Sequence, residues 1–202
     1  MSSAAIILAA GASRRMGSAK PLLDWGGQPL ILAEIETLEA AGIDEIVIVL
    51  GAAAQHVRAR LGRQAHRTVF NPQWPQGRST SLVTGARALL ARAEPPDAVV
   101  IQNVDQPTRA EVLKRLLEEL GDGDAVQPEF DGHGAHPVVV AGRLLPELAM
   151  VEEETLGLRA VLEAHPPGRI AIEDPIVSLD LDTPEDLEQA RAQLAAAEAS
   201  RE

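Results

Sequence analysis

The chain has 202 residues, 46% of them hydrophobic and 24% charged, a content and length expected of one globular domain spanning residues 1–202. A formal charge of −12 excludes non-specific attraction to a nucleic-acid polymer or an anionic membrane, and an aromatic content of 2% leaves almost no platform for stacking single-stranded bases. With no cysteine, disulfides and thiolate metal sites are excluded, so a divalent ion must rely on oxygen or imidazole ligands, which suits Mg²⁺.

Residues 5–9 form an apolar run predicted as the first strand. Its centre, Ile6-Ile7-Leu8, is too short and lacks the basic lead of a signal peptide, and no stretch of roughly twenty apolar residues follows, so a cytoplasmic location is expected. A turn rich in small residues comes next, with Gly11, Ala12 and Ser13 able to bring backbone N–H groups close to a ligand and Arg14, Arg15 and Lys20 able to neutralise its oxygens. A triphosphate is the ligand this combination fits. Two common phosphate motifs fail here. Ser13 and Met16 stand where a Rossmann fingerprint needs glycine, and Ser18-Ala19 separates Gly17 from Lys20 where a P-loop needs them adjacent.

Further along, residues 29–41, 54–61 and 79–93 are predicted helices, and 45–50, 68–70 and 98–102 predicted strands, with Gly42 and Gly62 placed as C-caps. Repeated strand–helix units predict a three-layer α/β sandwich of Rossmann-like type, its mostly parallel sheet covered by helices on both faces. Asp105 follows the strand at 98–102 and so stands at the edge where open α/β sheets bind ligands. From position alone it reads as a turn former or helix cap.

The second half predicts a helix at 109–120, strands at 125–130 and 137–141, a short helix at 156–164, and strands at 169–172 and 177–181. A final helix starts at Pro184, capped by Thr183, with a frayed end over 195–202. In a strand over 177–181, Asp180 and Asp182 flank its end on one face. His56, His66, His133 and His165 show no ligand spacing and are expected in solvent.

Leu8-Ala9-Ala10-Gly11, Ser13, Arg15-Met16-Gly17, Lys20 and Leu22-Leu23 together resemble the signature loop of the MobA/MocA-like nucleotidyltransferases, nearest to the molybdenum cofactor cytidylyltransferases. Asn71-Pro72-Gln73-Trp74, Gly77 to Ser81, Asp105-Gln106-Pro107, His136-Pro137-Val138-Val139 and the run from Asp180 to Leu187 resemble further segments of that family, in the same order. The resemblance implies the fold of the nucleotide-diphospho-sugar transferases and transfer of CMP from CTP to a molybdopterin-type cofactor, with loss of diphosphate.

In that reading Arg15 binds the triphosphate and Lys20 stabilises charge at the α-phosphate. Leu8, Ala9, Ala10 and Gly11 border the base, and the methyl of Ala10, in place of a glycine common in guanylyl members, favours CTP. Ser81 either bonds the base or satisfies the helix backbone, and Trp74 either flanks the ligand or anchors its loop. Asn71, Arg78 and His136 stand on the substrate side. Asp105 and Asp182, with Asp180 as the alternative to Asp182, hold Mg²⁺. Arg78 and Ala135 depart from the family pattern, where an apolar residue and a glycine are usual, so the acceptor stays open: a sugar 1-phosphate is an alternative. A non-catalytic role delivering cofactor to a molybdenum hydroxylase is the reading from another class.

Overall fold

The computed structural model describes residues 2–43, 45–153 and 157–199. In chain order the elements are β1 (Ser3–Ala9), β2 (Asp24–Trp25), β3 (Gln28–Pro29), α1 (Leu30–Ala40), β4 (Glu45–Leu50), α2 (Ala54–Leu61), β5 (Thr68–Phe70), α3 (Arg78–Leu90) and β6 (Ala98–Asn103). Then follow α4 (Ala110–Leu120), β7 (Ala125–Phe130), β8 (His133–Gly134), β9 (Val138–Ala141), α5 (Leu145–Leu148), α6 (Leu158–Ala164), β10 (Gly168–Ala171) and α7 (Pro184–Ala199). The predicted helix start at Leu156 lies outside the described residues, as do residues 200–202 of the end predicted to fray.

An eight-stranded sheet of order β10-β7-β9-β6-β1-β4-β5, with β8 beside β7, forms the middle layer. Pairing is parallel between β1 and β4, β1 and β6, β4 and β5, and β7 and β10, whereas β9 runs antiparallel to both β6 and β7. The expected mostly parallel sandwich is therefore present. Alternate residues of each strand serve opposite faces. Ile7, Ile48 and Val100 join Ile31, Ile35, Leu113 and Leu116 from α1 and α4 on one side. Ile6, Val49 and Ile101 join Leu82, Ala86 and Leu89 from α3, with Leu145 and Leu148, on the other. Both faces are buried, which is why these strands read as continuous apolar runs. Gly85 brings α3 down onto β1, since a Cβ there would stand 2.4 Å from Ile6 Cγ2.

One predicted strand is overturned. Residues 177–181 form no strand: Asp174 accepts the N–H of Ile176 at 3.1 Å, and Pro175–Ser178 turns as a 3-10 helix. Ile176 and Val177 are apolar because they pack in the core, not because they pair with a sheet. A short hairpin of β2 and β3, closed by Gly26-Gly27, was not evident from its few residues. A smaller cluster of Met16, Leu23, Leu30, Leu181 and Leu187 ties the loop after β1 to α1 and α7.

Candidate active site

The loop between β1 and α1 is anchored by buried side chains, Met16 among them. Met16 is 5% exposed within the small cluster, which leaves its neighbour Arg15 outside and exposed. Ser13 adopts a positive φ of 51° and its Oγ accepts the Lys20 N–H at 3.1 Å, so the turn closes on itself and delivers Lys20 inward. Lys20 is buried, and its ammonium donates to Asp105 Oδ2 at 2.7 Å and Asp182 Oδ1 at 2.6 Å. Arg15 holds the other oxygen of Asp182 at 2.7 Å.

Asp105 stands two residues past β6, and its backbone carbonyl accepts the N–H of Leu181 at 2.8 Å. Leu181 is fully buried and pinned there, with an acid on either side of it. That pin, in place of strand alternation, brings Asp180 and Asp182 to the site. Oxygens of Asp105, Asp180 and Asp182 lie within 4.8 Å of one another. Three hard carboxylates at this spacing fit a Mg²⁺-type cation, although Lys20 holds two of them here.

The site's electrostatics follow from this crowding. Burial pushes the Lys20 ammonium down, but hydrogen bonds and charges from Asp105 and Asp182 outweigh it and leave its pKa raised. The hydrogen bond from Lys20 lowers the carboxyl of Asp182. Asp180 is raised, by burial first and then by the negative charges of Asp105 and Asp182. His136 is lowered by burial, and feels both Asp105 and Arg78.

A cavity of about 480 Å³ opens above these groups. The predicted residues Leu8, Ala9, Ala10 and Gly11 line one wall, with Arg15 and Lys20 beside them. Arg78 and Ser81 of α3 line the cavity too, together with Asp105 and Asp182. Trp74 lines it as well. A Cβ on Gly51 would stand 2.7 Å from Trp74 Cγ and 2.8 Å from Ala10 Cβ, so Gly51, Ala10 and Trp74 are packed on one another. The Ala10 methyl is thus turned toward Gly51.

Not every predicted residue reaches the cavity. Asn71 is 1% exposed and its amide is spent on the loop, donating to Thr80 Oγ1 at 2.9 Å and Ser81 Oγ at 3.0 Å while accepting from the Gln73 N–H at 2.9 Å. It fixes Ser81 from below. His136 and Asp180 likewise are not among the residues that line the cavity. Sequence reasoning passed over Asn103 and Glu153. Asn103 lines the cavity from the end of β6, and its position two residues before Asp105 was the available signal. Glu153 accepts the Ser79 N–H at 2.8 Å and so caps α3 from 74 residues away, a link no local pattern encodes.

Of the histidines expected in solvent, His56, His66 and His133 are exposed, but His165 is not free. Its ring nitrogens lie 2.9 Å from Asp124 Oδ2 and 3.1 Å from Glu147 Oε2. The bond to Asp124 is the main cause of its raised pKa. Among the described residues no helix is long and apolar enough to cross a membrane.

The chain is 32% identical over 193 residues to nicotine blue oxidoreductase of Paenarthrobacter nicotinovorans, covering 90% of this chain and 93% of that one. It is 27% identical over 182 residues to the molybdenum cofactor cytidylyltransferase of Escherichia coli strain K12, covering 90% and 91%. The structure of Rv0371c from Mycobacterium tuberculosis H37Rv superposes with a TM-score of 0.79 at 25% identity, over 94% of this chain and 97% of that one. Residues 5–169 match the family model of the MobA-like NTP transferase domain, so the chain belongs to that family of nucleotidyltransferases.

Proposed function

We propose that the protein is a cytoplasmic, Mg²⁺-dependent cytidylyltransferase that transfers CMP from CTP to a phosphorylated acceptor, the molybdopterin-type molybdenum cofactor. An acceptor phosphate oxygen attacks the α-phosphorus, the bond from that phosphorus to the bridging oxygen breaks, and diphosphate leaves with the electron pair. Both reactants are anions, so the protein's work is orientation and charge neutralisation. The observation that carries the reading is the Lys20 ammonium held between Asp105 and Asp182 at the base of a cavity lined by Arg15.

Asp105 and Asp182, with Asp180, are the residues that would hold Mg²⁺, which when bound supplies positive charge to the phosphates. Arg15 is exposed at the mouth and suits the outer phosphates, where a planar guanidinium can make paired bonds. Lys20, buried and always charged at neutral pH, suits the charge that grows on the α-phosphate. The Ser81 hydroxyl, oriented by Asn71, retains its proton to donate to a base. Arg78, at the start of α3, presents a cation to the acceptor's phosphate.

A diphosphate-release assay across the four nucleoside triphosphates, with molybdopterin-type and sugar 1-phosphate acceptors, tests this reading. Release with CTP and the molybdenum cofactor is expected; release only with another pair would replace the substrate assignment. A second reading comes from the relative named as an oxidoreductase, which is 32% identical. A change in the oxidation state of nicotine blue, without diphosphate release, would favour it.

A further inference from the structure

Helix α3 begins without a cap of its own. Its N-cap is Gly77, which has no side chain to bond the free N–H groups of the first turn, and the first residue of that turn is Arg78 of the cavity lining. The missing acceptor comes from far along the chain: Glu153 Oε2 takes the Ser79 N–H at 2.8 Å. A carboxylate suits the positive end of a helix.

The fit around this carboxylate is close. Gly77 has a φ of 131°, and a Cβ on it would collide with Cδ and Oε2 of Glu153, so the residue that leaves the helix uncapped also makes the seat for the carboxylate. Ser79 is 6% exposed, and its hydroxyl meets the same segment: Gly157 has a φ of 57°, and a Cβ there would collide with Ser79 Oγ. The Glu152 carbonyl accepts the Gly157 N–H at 3.0 Å, which keeps the two contacts side by side.

Arg78 is thereby bracketed. Gly77 before it packs on Glu153 Cδ, Ser79 after it is bonded to Glu153 Oε2, and Arg78 itself is exposed toward the cavity it lines. Ser81 is held separately, by the Asn71 amide at 3.0 Å. We infer that Glu153 is a positioning residue for Arg78: by accepting the Ser79 N–H it fixes the backbone from which the Arg78 guanidinium reaches the acceptor's phosphate, while Ser81 and the nucleotide depend on Asn71 instead. This rests on the reading of Arg78 as an acceptor contact.

The test compares the whole protein with Glu153→Ala, Glu153→Gln, Arg78→Ala and the double variant carrying both alanines. Melting temperature, amide exchange at Ser79 by NMR, calorimetric CTP affinity, and KM and kcat for diphosphate release with the molybdenum cofactor are measured on each. Alanine at 153 should speed exchange at Ser79 and raise the acceptor KM about tenfold to 10²-fold, the scale of a misplacement of about 1 Å, with CTP affinity within about twofold of the parent. Glutamine keeps an oxygen acceptor of the same reach, so it should bring Ser79 protection and acceptor KM back to within about threefold of the parent. Once Arg78 is alanine, loss of Glu153 should raise the acceptor KM by less than about twofold more, because there is nothing left to position. If Glu153→Ala does not fold, Glu153→Asp, which draws the oxygens back by one methylene, takes its place in both arms.

A folded alanine variant with faster Ser79 exchange but parental acceptor KM overturns the proposal, leaving Glu153 a helix cap only. So does a loss that falls equally on CTP affinity and acceptor KM, the mark of a general loosening of α3, and so do alanine effects that multiply in the double variant. A parent that shows no acceptor-dependent diphosphate release overturns the acceptor reading and the proposal with it, and is told apart because Ser79 exchange still separates the alanine variant from the parent.

Discussion

The Lys20 ammonium lies 2.6 Å from Asp182 Oδ1, joining residues 162 apart in the chain, and the same ammonium reaches Asp105 at 2.7 Å. One buried cation thus holds the loop after β1, the end of β6 and the approach to α7 in a single cluster. Replacing it should disable chemistry more than binding. Lys20→Ala is expected to lower turnover about 10²–10³-fold, the usual loss for one group aimed at transition-state charge. Calorimetric CTP affinity should change far less. Near-parental turnover would remove Lys20 from the reaction.

Asp105→Asn tests the metal reading. The amide can still bond to Lys20, so the fold should persist with little change in melting temperature, but a neutral oxygen is a poorer ligand for a hard dication. Activity at limiting Mg²⁺ should collapse and recover only in part when the metal is raised. Unchanged Mg²⁺ dependence would return Asp105 to the role of a turn residue.

Base selectivity rests on the wall made by Ala10, Gly51 and Trp74. The parent should bind CTP more tightly than GTP, and Ala10→Gly should weaken that preference by loosening the packing on which Trp74 rests. Gly51→Ala is the stronger disturbance, because its Cβ would stand 2.4 Å from the Ala10 carbonyl oxygen and 2.7 Å from Trp74 Cγ. It should lower stability as well as CTP affinity. Calorimetry with both nucleotides decides the matter; tighter GTP binding by the parent would overturn the cytidylyl assignment.

Arg78 lines the cavity, and the proposed reaction assigns both it and His136 to the acceptor side. Arg78→Ala and His136→Ala should raise the acceptor KM with CTP affinity nearly intact, the form that loss of uniform binding takes. If no phosphorylated acceptor supports diphosphate release, yet CTP and a molybdenum hydroxylase both bind, delivery of cofactor replaces transfer as the function.

His165 gives the fold a pH-dependent link. Its protonated ring can donate to both Asp124 and Glu147, so its pKa is raised in the folded protein. For a raised histidine the stabilisation is complete below the unfolded pKa of about 6.5 and fades as pH rises through the folded value. The gap in melting temperature between the parent and His165→Ala should therefore be larger near about pH 6 than near about pH 9. An equal gap at both would show that the ring contributes packing alone.

What the sequence determined by itself was whatever local chemistry encodes. Strands β1, β4 and β6 are apolar on both faces, so their class and the helices between them were legible, and the small-residue turn with Arg15 and Lys20 announced a polyanion without any knowledge of its surroundings. Family likeness named Asp105 with a second acid from Asp180 and Asp182, Asp182 favoured. The tertiary structure decided what long-range packing controls. The run at 177–181 is apolar in either a strand or a buried turn, and only the Asp174 cap and the core beneath Ile176 and Val177 choose the turn. Asp180 and Asp182 converge on Asp105 because buried Leu181 is bonded to the Asp105 carbonyl, a contact between distant segments that no periodicity contains. Asn71 looked like a ligand contact and is a buried pin; His165 looked free and is bonded twice.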